Sequence, residues 1–556
     1  MQPHHNIPHQ TQSTGHVVGT NAGIASRLTT SAGVPIDNNQ HAMTAGARGP
    51  ILLQDFAFQN KIQKFDRERI PERAAHAQGQ GAHGYFEVTH DVTKYCKASF
   101  LKGIGKRTKL FARLSTTIGS RGSSDLLRDI RGFALKFYTD EGNYDMLGVN
   151  FPVFFFRDPM QAPDFFHAMK QHPVKNAFDP NTMWDFFSQV PESIHAVTIQ
   201  YTDRGTPAGY RHMHGYSANT FKWVNEQGQS FFVKYTFKTN QGIKNFTNQE
   251  SLTTAGTQPY FSSLDLHESI NKADFPSWNM YVQLIPEAEG EAYKWDIYDV
   301  TKVWPHGDYP LLPVGRVVLN KNPQNYFAEV DQVAFNPANL VPGIEPSNDR
   351  LLQGRLFLYY DTQLHRLGVN HDQIAINCPF AMNNFQQDGL MNVLKNQEKV
   401  VTYDNNTMDM LERPIVDSST AIKPFGFNGF SGRYSYPHTN DDFEQVRTFY
   451  NKILSANERD HLIDNICFSL GQCDTKIQQN MLKIFYQVDN DYGSRIEKGL
   501  SSTSITSVFS SFAQKVGLSH DKGNLIGEKT DVDMKMSNEK SMMQQQQKTN
   551  VKRNVK

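Results

Sequence analysis

The side chains that could do chemistry in this chain are scattered, and each has a plainer reading beside it. His76 stands among small residues, in Ala74-Ala75-His76-Ala77, after the charged run Asp66-Arg67-Glu68-Arg69. An imidazole can take and return a proton near neutral pH, but a histidine beside alanines is more often held by the fold alone. Tyr359, in Arg355-Leu356-Phe357-Leu358-Tyr359-Tyr360-Asp361, reads on its own as a core aromatic. His4, His5, His9 and His16 have the donor chemistry of a metal site, yet they fall in an aperiodic stretch rich in Gln, Asn, Thr and Gly. Such tails rarely order a specific ion. Cys96, Cys378, Cys467 and Cys473 form no C-x-x-C pair, and four cysteines in so long a chain argue against a disulfide framework. They read as small buried hydrophobes in a reducing, intracellular compartment.

Whatever positions these residues must be a large fold. The 556 residues are 38% hydrophobic and 12% aromatic, with 38 phenylalanines, enough to bury a sizeable core. Basic and acidic residues balance at 56 each, so no strong field favours nucleic acid or an anionic membrane. The start, MQPHHNIPHQTQSTGH, lacks a secretory apolar region, and no run approaches a membrane helix. Asn554-Val555-Lys556 does not resemble a Ser-Lys-Leu peroxisomal signal. Apolar residues alternate at Phe133, Leu135 and Phe137; at Val197, Ile199 and Tyr201; at Phe231, Val233, Tyr235 and Phe237; and at Trp278, Met280, Val282 and Leu284. Period 2 between turn clusters predicts a half-buried antiparallel sheet or barrel. Mixed spacing from Pro163 to Phe187 predicts short helices in an insertion. Residues 331–440 have little periodicity and read as a long wrapping loop. Helical period then returns at Phe443, Val446, Phe449 and Ile453 and again at Ile477, Met481, Ile484, Phe485 and Val488. Between them Ser455 and Glu458 have the spacing of a capping box.

Longer words carry more. FDRERIPERAAHAQGQGAHGYFEVTHD, RDIRGFALKFYTDEGNYDMLG, TKVWPHGDYPLLPVG and LQGRLFLYYDTQLHRLG resemble the monofunctional haem catalases, in that family's order and spacing. The resemblance covers roughly residues 30 to 500, and the length resembles the small-subunit branch. It implies an α+β fold: a large antiparallel β-barrel with an extended N-terminal arm, a wrapping segment and a C-terminal helical domain. The boundaries expected are 1–76 for the arm, 77–330 for the barrel, 331–440 for the wrapping segment, 441–505 for the helices and 506–556 for a disordered tail. It also implies conversion of hydrogen peroxide to water and dioxygen on haem (iron protoporphyrin IX). Tyr359 matches the iron's axial ligand and Arg355, four residues earlier, the arginine that keeps that phenol ionised. His76 matches the distal acid/base that shifts a proton between the peroxide oxygens, and Ser115 the serine that fixes its tautomer. Arg73, Arg113 and Arg366 match the partners of the haem propionates, Phe154 an aromatic on the distal haem face, and Asp129 a carboxylate of the substrate channel. Small-molecule peroxide as substrate, a homotetramer, and a peroxisomal or cytoplasmic setting are implied as well.

Departures from the pattern cluster on the distal side. Val149, in Asp145-Met146-Leu147-Gly148-Val149-Asn150, takes the place of the family's second distal residue, an Asn. If that segment is extended, Asn150 faces the opposite way. Ala75 and Thr117 stand where Val is usual, Ala162 where a haem-packing Phe is common, and Gln80 and Leu358 where small residues are usual. Slower peroxide turnover is therefore expected. A haem enzyme for bulkier organic hydroperoxides, or a homologue with little turnover, remains open beside it. His195, Thr202, Arg204, Lys238, Val303, Trp304 and His306 match or nearly match NADPH-binding residues of the small-subunit branch. His214 replaces an Asn there and Gly307 a nearby Lys, and an ordinary polar surface is the alternative. No Rossmann glycine fingerprint is expected.

Overall fold

The computed structural model describes residues 27–393, 401–404, 406–408, 416–422, 424, 429–437 and 441–502. The four N-terminal histidines and the expected tail from 506 lie outside the described residues. Ten strands make one antiparallel sheet: β1 (Gly79–Val88), β2 (Arg107–Ser115), β3 (Gly132–Thr139), β4 (Gly142–Val149), β5 (Gly215–Tyr216), β6 (Phe221–Val224), β7 (Ser230–Thr239), β8 (Ser277–Pro286), β9 (Leu312–Lys321) and β10 (Ile344–Pro346). Their order is β10-β6-β7-β5-β4-β3-β2-β1-β9-β8, and β8 pairs back onto β7, closing eight strands into a barrel with β6 and β10 as a flap.

Alternation decides what fills the barrel and what coats it. Leu110, Ala112 and Leu114 of β2, Phe133, Leu135 and Phe137 of β3, and Tyr144 and Met146 of β4 share one buried cluster with Tyr235, Phe237, Trp278 and Met280. This is the barrel core. The intervening residues point the other way: Phe111, Arg113 and Ser115 on β2, Gly132 and Ala134 on β3, and Leu147 and Val149 on β4. The ladder sets Ser115 beside Gly132, Arg113 beside Ala134, Gly132 beside Val149 and Ala134 beside Leu147. All the site residues contributed by these three strands stand on this outer face.

Three expectations need correction. Val197, Ile199 and Tyr201 are not on a strand; Ile194–Tyr201 is a helix with every residue buried, so it has no polar face to reveal a helical period. The wrapping segment is not all loop, because Arg350–Leu367 is an 18-residue helix capped by the Asp349 side chain, which accepts from Leu352 N at 3.0 Å. Only Leu351, Leu352, Gln363 and Arg366 of it are buried, so no apolar stripe marks it. Phe443 to Ile453 is not one helical stripe either: Val446 and Phe449 are buried, but the helix changes to a wider π turn at Phe449 and Ile453 is exposed. The last helices follow the sequence. Ser455 and Glu458 cap Ala456–Leu470 reciprocally, and Ile477, Met481, Ile484, Phe485 and Val488 are the buried face of Thr475–Val488. Ala162–Met169 and Pro180–Gln189 are the helices expected in the insertion. Among the described residues no helix is long and apolar enough to cross a membrane.

Candidate active site

His76 lies just before β1 with φ at +63°, a left-handed conformation that costs a non-glycine residue energy and must be held from outside. It is held at both ends. Its amide donates to Thr117 O at 2.9 Å, and its carbonyl accepts from the Arg113 guanidinium at 2.6 Å, which also reaches Ala77 O at 3.0 Å. The ring rests over Gly132, where a Cβ would come within 2.7 Å of Nδ1 and 2.5 Å of Ser115 Oγ. Nδ1 stands 3.1 Å from both Ser115 Oγ and Thr116 O. A carbonyl only accepts, so Nδ1 carries the proton and Nε2 is left with the basic lone pair. Burial first, then the Arg113 charge, pushes the imidazole down to about 3, so it is neutral at physiological pH.

Three arginines from distant parts of the chain converge beside it. Arg73 donates to Val330 O, Asp331 O and Val333 O, each at 2.9 Å; Arg366 donates to Asp331 O and to Val333 O at 3.0 Å. Burial and mutual repulsion hold Arg73 and Arg366 below the usual guanidinium range, Arg366 at about 10. Asp331, 3.5 Å from Arg73, is the nearest carboxylate, and buried Arg113 Nε finds no hydrogen-bond partner among the described residues. Concentrated, under-compensated positive charge of this kind suits an anionic, carboxylate-bearing ligand.

On the other side, Arg355 and Tyr359 lie one turn apart on the 18-residue helix. Arg355 donates to Tyr359 Oη at 3.2 Å and to Leu147 O at 3.2 Å, and also to Asn219 Oδ1. Tyr359 packs against the buried cluster formed by Phe111, Leu147, Val330, Val333, Phe335 and Ile376. Leu147 and Val149 are two residues apart and so share the outer face of β4. That face therefore runs from the Tyr359 cluster to the His76 side. Ile118, Val149, Phe154 and Ala162 are half-buried against a second apolar cluster that includes Phe151, Phe155, Phe156 and Phe165. A flat, largely apolar group with carboxylates at one edge and a metal open to a phenol oxygen would find its complements here, so the residues fit haem.

Asn150 does face away. Its Oδ1 accepts from Arg131 N at 2.7 Å and its Nδ2 donates to Arg204 O at 3.3 Å. Asp129 is buried, with Oδ2 accepting from Thr117 N at 2.6 Å and Ile118 N at 2.8 Å, and burial lifts it to about 6.

The residues expected to bind a dinucleotide are only partly gathered. The Arg204 guanidinium lies 5.3 Å from the Phe449 ring centre and the His195 ring 6.0 Å from it. Thr202 Oγ1 accepts from Arg204 N at 3.3 Å. Burial and then the Lys238 charge lower both His214, to about 4, and His306; burial and then Lys302 bring His195 to about 4. Val303 exchanges two backbone bonds with the Gln445 amide, at 2.9 and 3.0 Å. Gln445 and Phe449 gave no motif signal because they lie in the helical region far along the chain. Trp304 is walled into a cluster with Phe232, Ile285 and Ile297. The spacing Gly79-x-Gly81-x-x-Gly84 does occur, contrary to expectation. All three lie inside β1, however, where added Cβ atoms would strike Ser115, Phe111 and Val318, and none opens a helix toward a pyrophosphate.

The catalase family model matches residues 29–410. The chain belongs to the catalase family. A second model, for a catalase-related immune-responsive domain, matches residues 436–500. The catalase of Methanosarcina barkeri is 51% identical over 475 residues, 85% of this chain and 94% of that protein. The peroxisomal catalase of Toxoplasma gondii is 51% identical over 479 residues, 85% and 95% of the two. Catalase A of Saccharomyces cerevisiae superposes with a TM-score of 0.82 at 41% identity, covering 85% of this chain and 99% of that one. Catalases are haem oxidoreductases that decompose hydrogen peroxide to water and dioxygen, and that is the reaction of this chain.

Proposed function

We propose that His76 is the acid/base of this reaction and Tyr359 the protein ligand of the haem iron, with Arg73, Arg113 and Arg366 on the propionates. The observation that carries this is the His76 ring, neutral, with its proton fixed on Nδ1 by Thr116 O and Ser115 Oγ. Nε2 is then free to take a proton from one peroxide oxygen and return it to the other, which lets the O–O bond break. Arg355, donating to Tyr359 Oη at 3.2 Å, would hold that oxygen toward the iron. Haem supplies the two-electron redox chemistry when bound. Ser115 orients the base, Phe154 packs on the distal side, and Asp129 stands by the approach of substrate. An absorption spectrum of the purified protein beside an oxygen-electrode trace tests the reading. A haem spectrum with steady oxygen release from hydrogen peroxide supports it, and peroxide loss without oxygen removes it.

A second reading, reaction with bulkier organic hydroperoxides, draws on Val149, Ile118, Phe154 and Ala162, which offer only apolar surface. Product analysis with an alkyl hydroperoxide distinguishes it. We infer a site for NADPH among His195, Thr202, Arg204, Lys238, His214 and His306, where cations and imidazoles converge. Titration with NADPH should raise the thermal midpoint, and no change leaves this an ordinary polar surface. Exposed Leu53, Phe56 and Phe65 of the arm and Phe357 of the proximal helix support a homotetramer that covers them; light scattering reads its mass. We divide the chain into the arm, barrel, wrapping and helical segments set out above, and favour the peroxisome as its compartment, which imaging of the tagged protein tests.

A further inference from the structure

Thr117 stands where relatives are expected to carry a valine, and it touches His76 in two ways. Its carbonyl accepts from His76 N at 2.9 Å. Its hydroxyl lies 3.4 Å from His76 Nδ1 and 2.7 Å from Ile130 O. Its own amide donates to Asp129 Oδ2 at 2.6 Å. A hydroxyl has one proton, and a carbonyl cannot give one back, so the proton of Thr117 is committed to Ile130. Toward the imidazole its oxygen can only accept.

We propose that Thr117 is a positioning residue for His76: its hydroxyl, anchored on Ile130, is an added acceptor that holds the ring with Nε2 toward substrate. The proposal rests on the reading of His76 as the acid/base. A ring turned by 180° about its Cβ–Cγ bond would present a carbon to Thr116 O, Thr117 Oγ1 and Ser115 Oγ together. It would leave their lone pairs without a donor in a buried place. Ser115 alone restrains the ring less, because a serine hydroxyl can rotate about its Cα–Cβ bond. Thr117 cannot rotate to suit. It is β-branched, and its hydroxyl, carbonyl and amide are all engaged. The added restraint falls in a pocket where Val149 replaces the second polar residue that would otherwise orient peroxide. Holding the base itself more firmly keeps the remaining polar group productive.

Valine matches threonine in shape and lacks the acceptor, so Thr117→Val isolates the hydroxyl, and Thr117→Ser retains it without the methyl. Both are compared with the parent as haem-loaded proteins. Cyanide affinity is read from the absorption spectrum, alongside oxygen release and the thermal midpoint. Hydrogen cyanide binds as its anion, so its proton must pass to a well-oriented base. Thr117→Val should weaken cyanide binding and slow oxygen release by about fivefold each, the worth of one modest hydrogen bond. Thr117→Ser should stay within about twofold of the parent. Equal cyanide affinity in Thr117→Val and parent overturns the proposal, as does a Thr117→Ser variant as weak as Thr117→Val, which would show that the hydroxyl does not by itself hold the ring. If Thr117→Val lowers the thermal midpoint, Thr117→Ala, which removes the hydroxyl without adding bulk, is read by the same two criteria. A parent that releases no oxygen would fault the reading of His76 instead, and the cyanide comparison would still report on Thr117.

Discussion

Gly132 and Val149 stand directly opposite each other on β3 and β4, and the side-chain position of Gly132 is filled by the His76 ring. Cross-strand partners project to the same face. Val149 is therefore the neighbour of the His76 imidazole across the sheet, and Asn150 is turned toward Arg131 and Arg204.

A polar residue restored at this point should help bound peroxide. Val149→Asn places an amide beside His76, where one hydrogen bond is worth about 1 kcal/mol, or roughly a fivefold faster oxygen release at low peroxide. Initial rates at an oxygen electrode measure it. An unchanged or slower variant would mean that Val149 costs this enzyme nothing.

Asp129 carries a second, acid-range prediction. Burial raises its folded value from the ordinary 3.8 to about 6. A raised value means that the group's contribution is fully present below 3.8 and is lost as pH rises through 6, at most about 3 kcal/mol in all. Asp129→Asn lacks that loss. Its thermal midpoint relative to the parent should therefore climb between pH 4 and pH 7, by calorimetry. A difference that stays level or narrows with rising pH would show that the carboxylate is not held against its ionisation.

On the 18-residue helix, Arg355 joins Tyr359 Oη, Leu147 O and Asn219 Oδ1. Arg355→Gln removes the positive charge while keeping a donor. Tyr359 Oη should lose its guanidinium partner, so the haem absorption bands should shift and oxygen release should fall roughly tenfold or more. Bands and rates that match the parent would detach Arg355 from the iron's ligand.

The strands that build the site were open to reading because a barrel wall sends alternate residues into an apolar core and the residues between them to the outer face. Phe133, Leu135 and Phe137 alternate for that reason, as do Trp278, Met280, Val282 and Leu284. The helix Ile194–Tyr201 misled because it is buried all round, and its residues carry no contrast between faces. The helix Arg350–Leu367 was hidden for the opposite reason, since its long middle leaves Phe357, Leu358 and Tyr360 exposed. His76, Tyr359 and the arginines came from whole words resembling a family, because no local pattern links residues 73, 113 and 366. Arg73 and Arg366 meet on the carbonyls of Val330, Asp331 and Val333, and Arg113 on those of His76 and Ala77, which no side-chain sequence reports. The hydroxyl of Thr117 is a single atom, and its meaning lies in two distances.

The most direct test of the account is oxygen release by His76→Ala, with its haem content matched to the parent by absorption. Loss of a positioned acid/base predicts a fall of at least about 100-fold with the haem spectrum retained. Oxygen release near the parent's rate would contradict His76 as the distal base.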